Sequence, residues 1–287
     1  MMDDFAVFIL THGRANNVVT YETLMRKGYS GRWYVVIDNE DEQENQYRER
    51  FGEHVLQFDK VGISKRFDTM DVSNERRTVV YARNACWDLA RKIGVRYFVE
   101  LDDDYKEFEF RYPYGGKLCV KSCENVDKLF DAMLQFLIDT KADTVAMAQG
   151  GDFIGGIRGG NYKKKCLRKV MNTFFCDVER PFDFIGRINE DVYTYCCYGS
   201  RGWLALTTTE ASITQQQTQK NAGGMSDVYL DSGTYLKSFY TVMVAPSCVK
   251  IGVMGDKHLR IHHRIDWDCC VPKIINARWK KGCNGNE

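Results

Sequence analysis

The chain is expected to fold as an α/β protein on a largely parallel sheet, and three observations lead there. Strand-like and helix-like segments alternate through the first hundred residues, which is the rhythm of βαβ units. One strand-like run, Val95 to Leu101, ends in three consecutive carboxylates, Asp102, Asp103 and Asp104. With 287 residues, 44% of them apolar, the chain can bury a sizeable core.

The elements follow in order. Phe5 to Leu10 reads as a buried strand, with a helical segment after Asn17. Trp33 to Ile37 is a second strand, followed by an acidic segment from Glu40 and a third strand, Val55 to Phe58. Between Thr78 and Ile93, Ala82, Ala85, Cys86, Leu89, Ala90 and Ile93 recur at helical spacing and should pack on the sheet just before the acid-tipped strand. Asn125 to Thr140 is an amphipathic helix with Leu129, Met133, Phe136 and Leu137 inward, and Asp143 to Ala148 another strand. From residue 150 the pattern loosens. The pairs Gly150-Gly151, Gly155-Gly156 and Gly159-Gly160 and the polar stretch from Thr207 to Asp227 suggest binding loops.

Formal charge is only +1, so no global field draws the protein to nucleic acid or anionic lipid, and any such role must rest on a local patch. The apolar stretch Phe5 to Leu10 is too short for a signal peptide or a membrane span, so the expected location is the cytoplasm, away from membranes. Eleven cysteines are present, an odd number with no C-x-x-C pair. Reduced thiols acting as small hydrophobes are expected, rather than disulfides or structural zinc.

Chemistry concentrates at strand ends. A central strand delivers its last side chains to the carboxyl edge of the sheet, where open α/β folds keep their ligand crevice. Three crowded carboxylates there call for a hard cation such as Mg²⁺ or Mn²⁺, with an acidic loop or helix cap as the plain alternative. The first strand runs into Thr11, His12, Gly13 and Arg14, a turn with hydroxyl, glycine and fixed cation suited to a phosphate or base, although ordinary turn chemistry explains it equally. The second strand ends in Asp38, able to accept from a base imide or a ribose hydroxyl, or to cap a helix.

A strand ending Thr-His-Gly-Arg, a strand ending Val-Val-Ile-Asp38, a helix carrying Ala82-Arg83-Asn84 and a strand ending Asp102-Asp103-Asp104 together resemble the nucleotide-binding half of GT-A glycosyltransferases, whose Asp-x-Asp motif fits Asp102 and Asp104. The stretch Phe8 to Asp41 is similar, more narrowly, to the phage glycosyltransferases associated with dioxygenases of the TET and JBP type, relatives of the base J glucosyltransferase. The resemblance covers residues 5 to 110 well and the rest loosely. It implies a GT-A-like fold with a mixed central sheet over residues 1–287 as one domain, 1–110 binding the nucleotide sugar and 111–287 the acceptor. It implies a UDP-sugar donor, UDP-glucose foremost, and DNA containing 5-hydroxymethylcytosine or 5-hydroxymethyluracil as acceptor. Asp104 would bind the divalent ion, Asp102 would orient ribose or metal with Asp103 beside it, Asp38 would touch uracil or ribose, and Thr11, Arg14 and Arg83 would line the nucleotide pocket, with His12 and Gly13 in the same turn.

Inverting GT-A enzymes use a carboxylate base on a later acidic motif, and Asn189-Glu190-Asp191 precedes a segment of helical promise. Asp191 is the expected base and Glu190 its rival, unless both merely complement a helix dipole; Asp152 is another candidate. A late histidine often completes the metal shell in GT-A enzymes, and His262 is the preferred ligand with His263 left open beside it and Arg260 or Lys257 near phosphate, a surface histidine cluster without metal being the equal alternative. Arg158, Lys163, Lys164, Lys165, Arg168 and Lys169 form a run without acids, either a DNA-phosphate face or a solvated one. The polar tract Thr214 to Gly224 is a candidate acceptor loop or, equally, disordered filler. The rival readings are a glycosyltransferase for a protein, lipid or glycan acceptor, a sugar-nucleotide nucleotidyltransferase, and a DNA-binding module without catalysis.

Overall fold

The computed structural model describes residues 3–72, 76–216, 235–254, 260–266 and 268–270. Its strands are β1 (Phe5–Leu10), β2 (Arg32–Asp38), β3 (Val55–Phe58), β4 (Tyr97–Asp102), β5 (Tyr105–Tyr114), β6 (Lys117–Ser122), β7 (Thr144–Ala148), β8 (Cys166–Leu167), β9 (Phe174–Asp177), β10 (Ala205–Gln215), β11 (Val249–Met254) and β12 (Arg260–Ile265). Its helices are α1 (Val19–Arg26), α2 (Glu44–Phe51), α3 (Lys60–Ser64), α4 (Val80–Lys92), α5 (Val126–Thr140), α6 (Gly160–Lys164), α7 (Glu190–Gly199) and α8 (Tyr235–Val244). One sheet runs in the order β3-β2-β1-β4-β9-β7-β10-β5-β6, with β8 paired to β10, and β11 and β12 form a separate hairpin.

The first four of these strands are parallel, as their helical crossovers require. Beyond β4 the sheet turns mixed: β9 lies antiparallel between β4 and β7, and β10 runs parallel to β7 and antiparallel to β5. The expectation of a Rossmann-like half feeding a mixed central sheet holds. No described helix is long and apolar enough to cross a membrane.

Side-chain alternation along β1 divides the core in two. Phe5, Val7 and Ile9 pack with Leu24, Tyr47, Phe51 and Phe130 on one face, while Ala6, Phe8 and Leu10 pack with Val80, Trp87, Phe174 and Phe184 on the other. Both faces of β1 are therefore covered, and all six residues are buried. Phe130, on α5, touches Phe5, Tyr29, Phe108 and Phe175, so truncating it to alanine should cost about 3–5 kcal/mol.

The sequence reading placed the βαβ half and α5 well. The Asn125 side chain caps α5 by accepting from the Lys128 N–H at 2.9 Å. The region past residue 150 holds more regular structure than expected, including β9, β10 and a helix over the acidic motif. The start of that helix, α7, is set by backbone: Gly186 has φ +85° and a Cβ there would lie 2.0 Å from the Tyr193 ring, so only glycine lets the chain turn in under α7.

Candidate active site

The carboxyl ends of β1, β2, β3 and β4 converge on a cleft of about 280 Å³ lined by residues that include Thr11, His12, Arg14, Asp38, Lys60, Asp102, Asp103 and Asp104. This is the crevice position that parallel α/β topology favours. Gly13 makes the β1 turn possible, with φ +66° and its N–H donating to Asp41 Oδ2 at 2.8 Å.

That turn is latched to the acidic triplet. Thr11 Oγ1 donates to Asp103 Oδ2 at 2.7 Å and Arg14 Nη1 to Asp103 Oδ1 at 2.9 Å, so both oxygens of Asp103 are engaged inside the protein. Tyr47 on α2 completes the latch: its hydroxyl lies 3.0 Å from Thr11 Oγ1 and accepts from the Arg14 N–H at 2.8 Å. Asp103 thus fastens β1 to β4, while its neighbours Asp102 and Asp104 are only half-buried and open to the cleft.

Burial, with the Asp102 and Asp103 charges beside it, pushes the Asp104 carboxyl up to about 7, against a weaker pull from Arg14. A carboxylate that resists ionisation unless a cation arrives is suited to a hard metal ion. Asp102 and Asp104 offer the oxygen donors that Mg²⁺ or Mn²⁺ takes.

Asp38 is poised differently. Burial opposes its charge, but the His12 hydrogen bond at 2.8 Å and the Lys60 ammonium at 3.1 Å hold it below the usual carboxylate range. Lys60, buried at the first turn of α3, escaped the sequence reading, as did Arg77 and Thr78 on the cleft wall and Tyr47 behind it. The available signal was the end of β3, where Phe58 hands the chain to the same carboxyl edge.

Arg83 sits behind the cleft, 3% exposed. Its Nη2 donates to Asp102 Oδ1 at 3.0 Å and its Nε to Glu190 Oε1 at 3.1 Å, with Glu100 at 3.6 Å and the Phe174 ring 4.6 Å below. Arg83 therefore acts on Asp102 and does not itself line the pocket. Burial raises Glu190, and Asp191 adds to the effect while Arg83 opposes it. Burial likewise pushes Glu100 up to about 8. Glu190 and Asp191 occupy the first turn of α7, both buried, and the residues lining the cleft do not include them.

The remaining expected residues scatter. β12 pairs His262 with Gly252 in the hairpin and packs its ring 4.3 Å from His263, and His262 is not among the cleft-lining residues. His258 and Lys257, and residues 217–224 of the polar tract, lie outside the described residues. Asp152 is spent on structure: it closes a capping box with Gln149 and pairs with Lys169. Lys169 thereby leaves the expected cationic face, because its ammonium is turned to that buried carboxylate. Arg158, Lys163, Lys164, Lys165 and Arg168 are exposed, Lys165 lying over the Tyr162 ring and 3.7 Å from Glu210.

Curated proteins gave no match. Similar solved structures include glucosyl-3-phosphoglycerate synthase from Mycobacterium tuberculosis in complex with Mg²⁺ and uridine diphosphate, at 11% identity and TM-score 0.46, covering 91% of this chain and 87% of that one. A mycobacterial protein at 9% identity and TM-score 0.44 covers 91% of this chain and is itself covered over 83%. The model of the family described as TET-associated glycosyltransferase matches residues 5–224, a stretch that contains the turn after β1, the acidic triplet and the acidic start of α7. The chain belongs to the TET-associated glycosyltransferase family.

Proposed function

We propose that the protein transfers a sugar from a UDP-sugar, UDP-glucose foremost, to the hydroxymethyl group of 5-hydroxymethylcytosine or 5-hydroxymethyluracil in DNA, in the host cytoplasm and with inversion at the anomeric carbon. The observation that carries this reading is the half-buried pair Asp102 and Asp104 opening into a cleft that Arg14, Lys60 and Arg77 also line. Carboxylates for a cation beside cations for phosphates make a site for a nucleoside diphosphate with its metal.

Asp102 and Asp104 would hold Mg²⁺ or Mn²⁺. Bound there, the ion supplies Lewis-acid stabilisation to the departing diphosphate. Arg14 and Lys60 bind phosphate oxygens, and Asp38, kept ionised by His12 and Lys60, accepts from the uracil imide or a ribose hydroxyl. Asp191, buried at the start of α7 beside the cleft lining rather than in it, would take the proton of an acceptor hydroxymethyl group brought to that helix start, and Glu190, through Arg83, positions Asp102. Residues 1–110 serve the donor and 111–287 the acceptor within one domain.

Two surfaces support nucleic acid as acceptor. The exposed cations Arg158, Lys163, Lys164, Lys165 and Arg168 can meet phosphates. On the β5–β6 hairpin, Phe110, Tyr112 and Tyr114 stand directly opposite Lys121, Cys119 and Lys117, which gives one face exposed aromatics and lysines without a carboxylate. Aromatic rings for base stacking with lysines for phosphate are what unpaired nucleic acid requires, and a base buried in a duplex must leave the stack to be modified. The test is UDP release from UDP-glucose with Mn²⁺ and oligonucleotides. Release stimulated by hydroxymethylated over unmodified oligonucleotide is expected; equal release with both, or without DNA, contradicts the acceptor assignment.

A further inference from the structure

We propose that Cys196, Cys248 and Cys270 form a thiolate site for Zn²⁺, separate from the carboxylate cleft. The three Sγ atoms lie within 4.8 Å of one another and all three residues are buried. They come from three segments far apart in sequence: the body of α7, the turn between α8 and β11, and the stretch after β12.

The backbone around them is fixed. Cys248 donates its N–H to Ala245 O at 3.1 Å and accepts from the Asp266 N–H at 2.7 Å, while Cys269 N–H closes a turn onto Asp266 O at 3.1 Å. Gly199 ends α7 where a Cβ would stand 2.4 Å from the Cys270 carbonyl oxygen, so the absence of a side chain lets the Cys270 segment approach the helix.

The chemistry suits a soft-tolerant tetrahedral ion. Zinc holds cysteine sulfur at about 2.3 Å, which places tetrahedral sulfurs roughly 3.8 Å apart. A cluster spread over at most 4.8 Å reaches that spacing by small side-chain rotations. A disulfide would satisfy two of the thiols and strand the third in an apolar core with Trp203, Phe182 and Ala205. On binding, each thiol loses its proton to solvent, so one Zn²⁺ and three thiols give three Zn–S bonds, three protons and a net charge of −1. Water or another donor takes the fourth position.

Such an ion would staple α7, whose first turn bears Glu190 and Asp191, to the β11–β12 hairpin. The experiment uses the full chain, purified without chelator from zinc-supplemented cells. Elemental analysis is expected to give about one zinc per chain, and Co²⁺ exchange a thiolate-to-cobalt charge-transfer band that Cys270→Ser weakens or abolishes. An Asp102→Asn/Asp104→Asn variant should keep both signals, which separates this site from the cleft. Folded wild-type protein with no zinc and no charge-transfer band, or with a disulfide among the three, overturns the proposal; the wild-type spectrum decides even if Cys270→Ser fails to fold.

Discussion

Glu190 and Asp102 share one guanidinium: Arg83 reaches Glu190 Oε1 with Nε at 3.1 Å and Asp102 Oδ1 with Nη2 at 3.0 Å. The first turn of α7 is thereby coupled to the end of β4. Arg83→Gln removes the guanidinium that Glu190, Glu100 and Asp102 face, and the expected loss is about 3–5 kcal/mol in a denaturant titration. Arg83→Lys should recover little, because an ammonium cannot span two carboxylates in the planar geometry that the guanidinium supplies.

The acidic triplet divides into two roles that mutation can separate. Asp104→Asn should abolish most transfer and weaken Mn²⁺ binding at least tenfold, with fold stability unchanged or raised because a strained charge is removed. Asp103→Asn should instead destabilise, by about 1–3 kcal/mol, since the amide keeps only one of the two acceptor oxygens that Thr11 and Arg14 use and turns an NH2 donor toward the other. Calorimetric metal titration beside thermal unfolding tells the two apart.

Proton linkage fixes the sign of the pH dependence. Asp104 near 7 and Glu100 near 8 in the folded protein lie above their unfolded values, so the folded state holds more protons between about pH 4 and 8. Their contribution favours folding at low pH and is lost as pH rises through those folded values. Mn²⁺ competes with the Asp104 proton, so its affinity should rise about tenfold per pH unit below 7 and level off above it. A metal affinity that is flat from pH 5 to 8 would contradict the assignment of Asp104.

On the proposed DNA surface, Lys163→Ala and Lys164→Ala should each lower the salt slope of binding by roughly one, measured by fluorescence anisotropy across salt concentrations. Lys169→Ala should leave the slope unchanged and destabilise the fold, because Lys169 serves Asp152. Tyr112→Ala with Tyr114→Ala should weaken binding to single-stranded DNA without altering the slope, each stacked base being worth about 1–3 kcal/mol.

The amino-terminal half, through β4, was legible because its elements are local. Periodicity marks α4, uniform apolarity marks β1, and the triplet sits where a strand must deliver it. The other half depends on pairings between distant segments. Phe174–Asp177 becomes an interior strand only because β4 and β7 flank it, and β10 alternates polar and apolar residues among threonines that read as loop. Tyr105 starts a strand directly after the triplet, paired to the distant β10, and its N–H donates to Thr20 Oγ1. Lys60 was missed because a lone lysine after a short strand carries no pattern. No short spacing links Cys196, Cys248 and Cys270 in the sequence, and only folding brings them together.

The central claim is best tested by incubating wild-type protein and Asp104→Asn with UDP-glucose, Mn²⁺ and DNA containing 5-hydroxymethylcytosine or 5-hydroxymethyluracil, then digesting to nucleosides for mass spectrometry. The expected result is a hexose mass shift on the hydroxymethylated nucleoside with wild type and none with the variant. The same shift with Asp104→Asn, or no shift with either protein across the common UDP-sugars, would contradict the account.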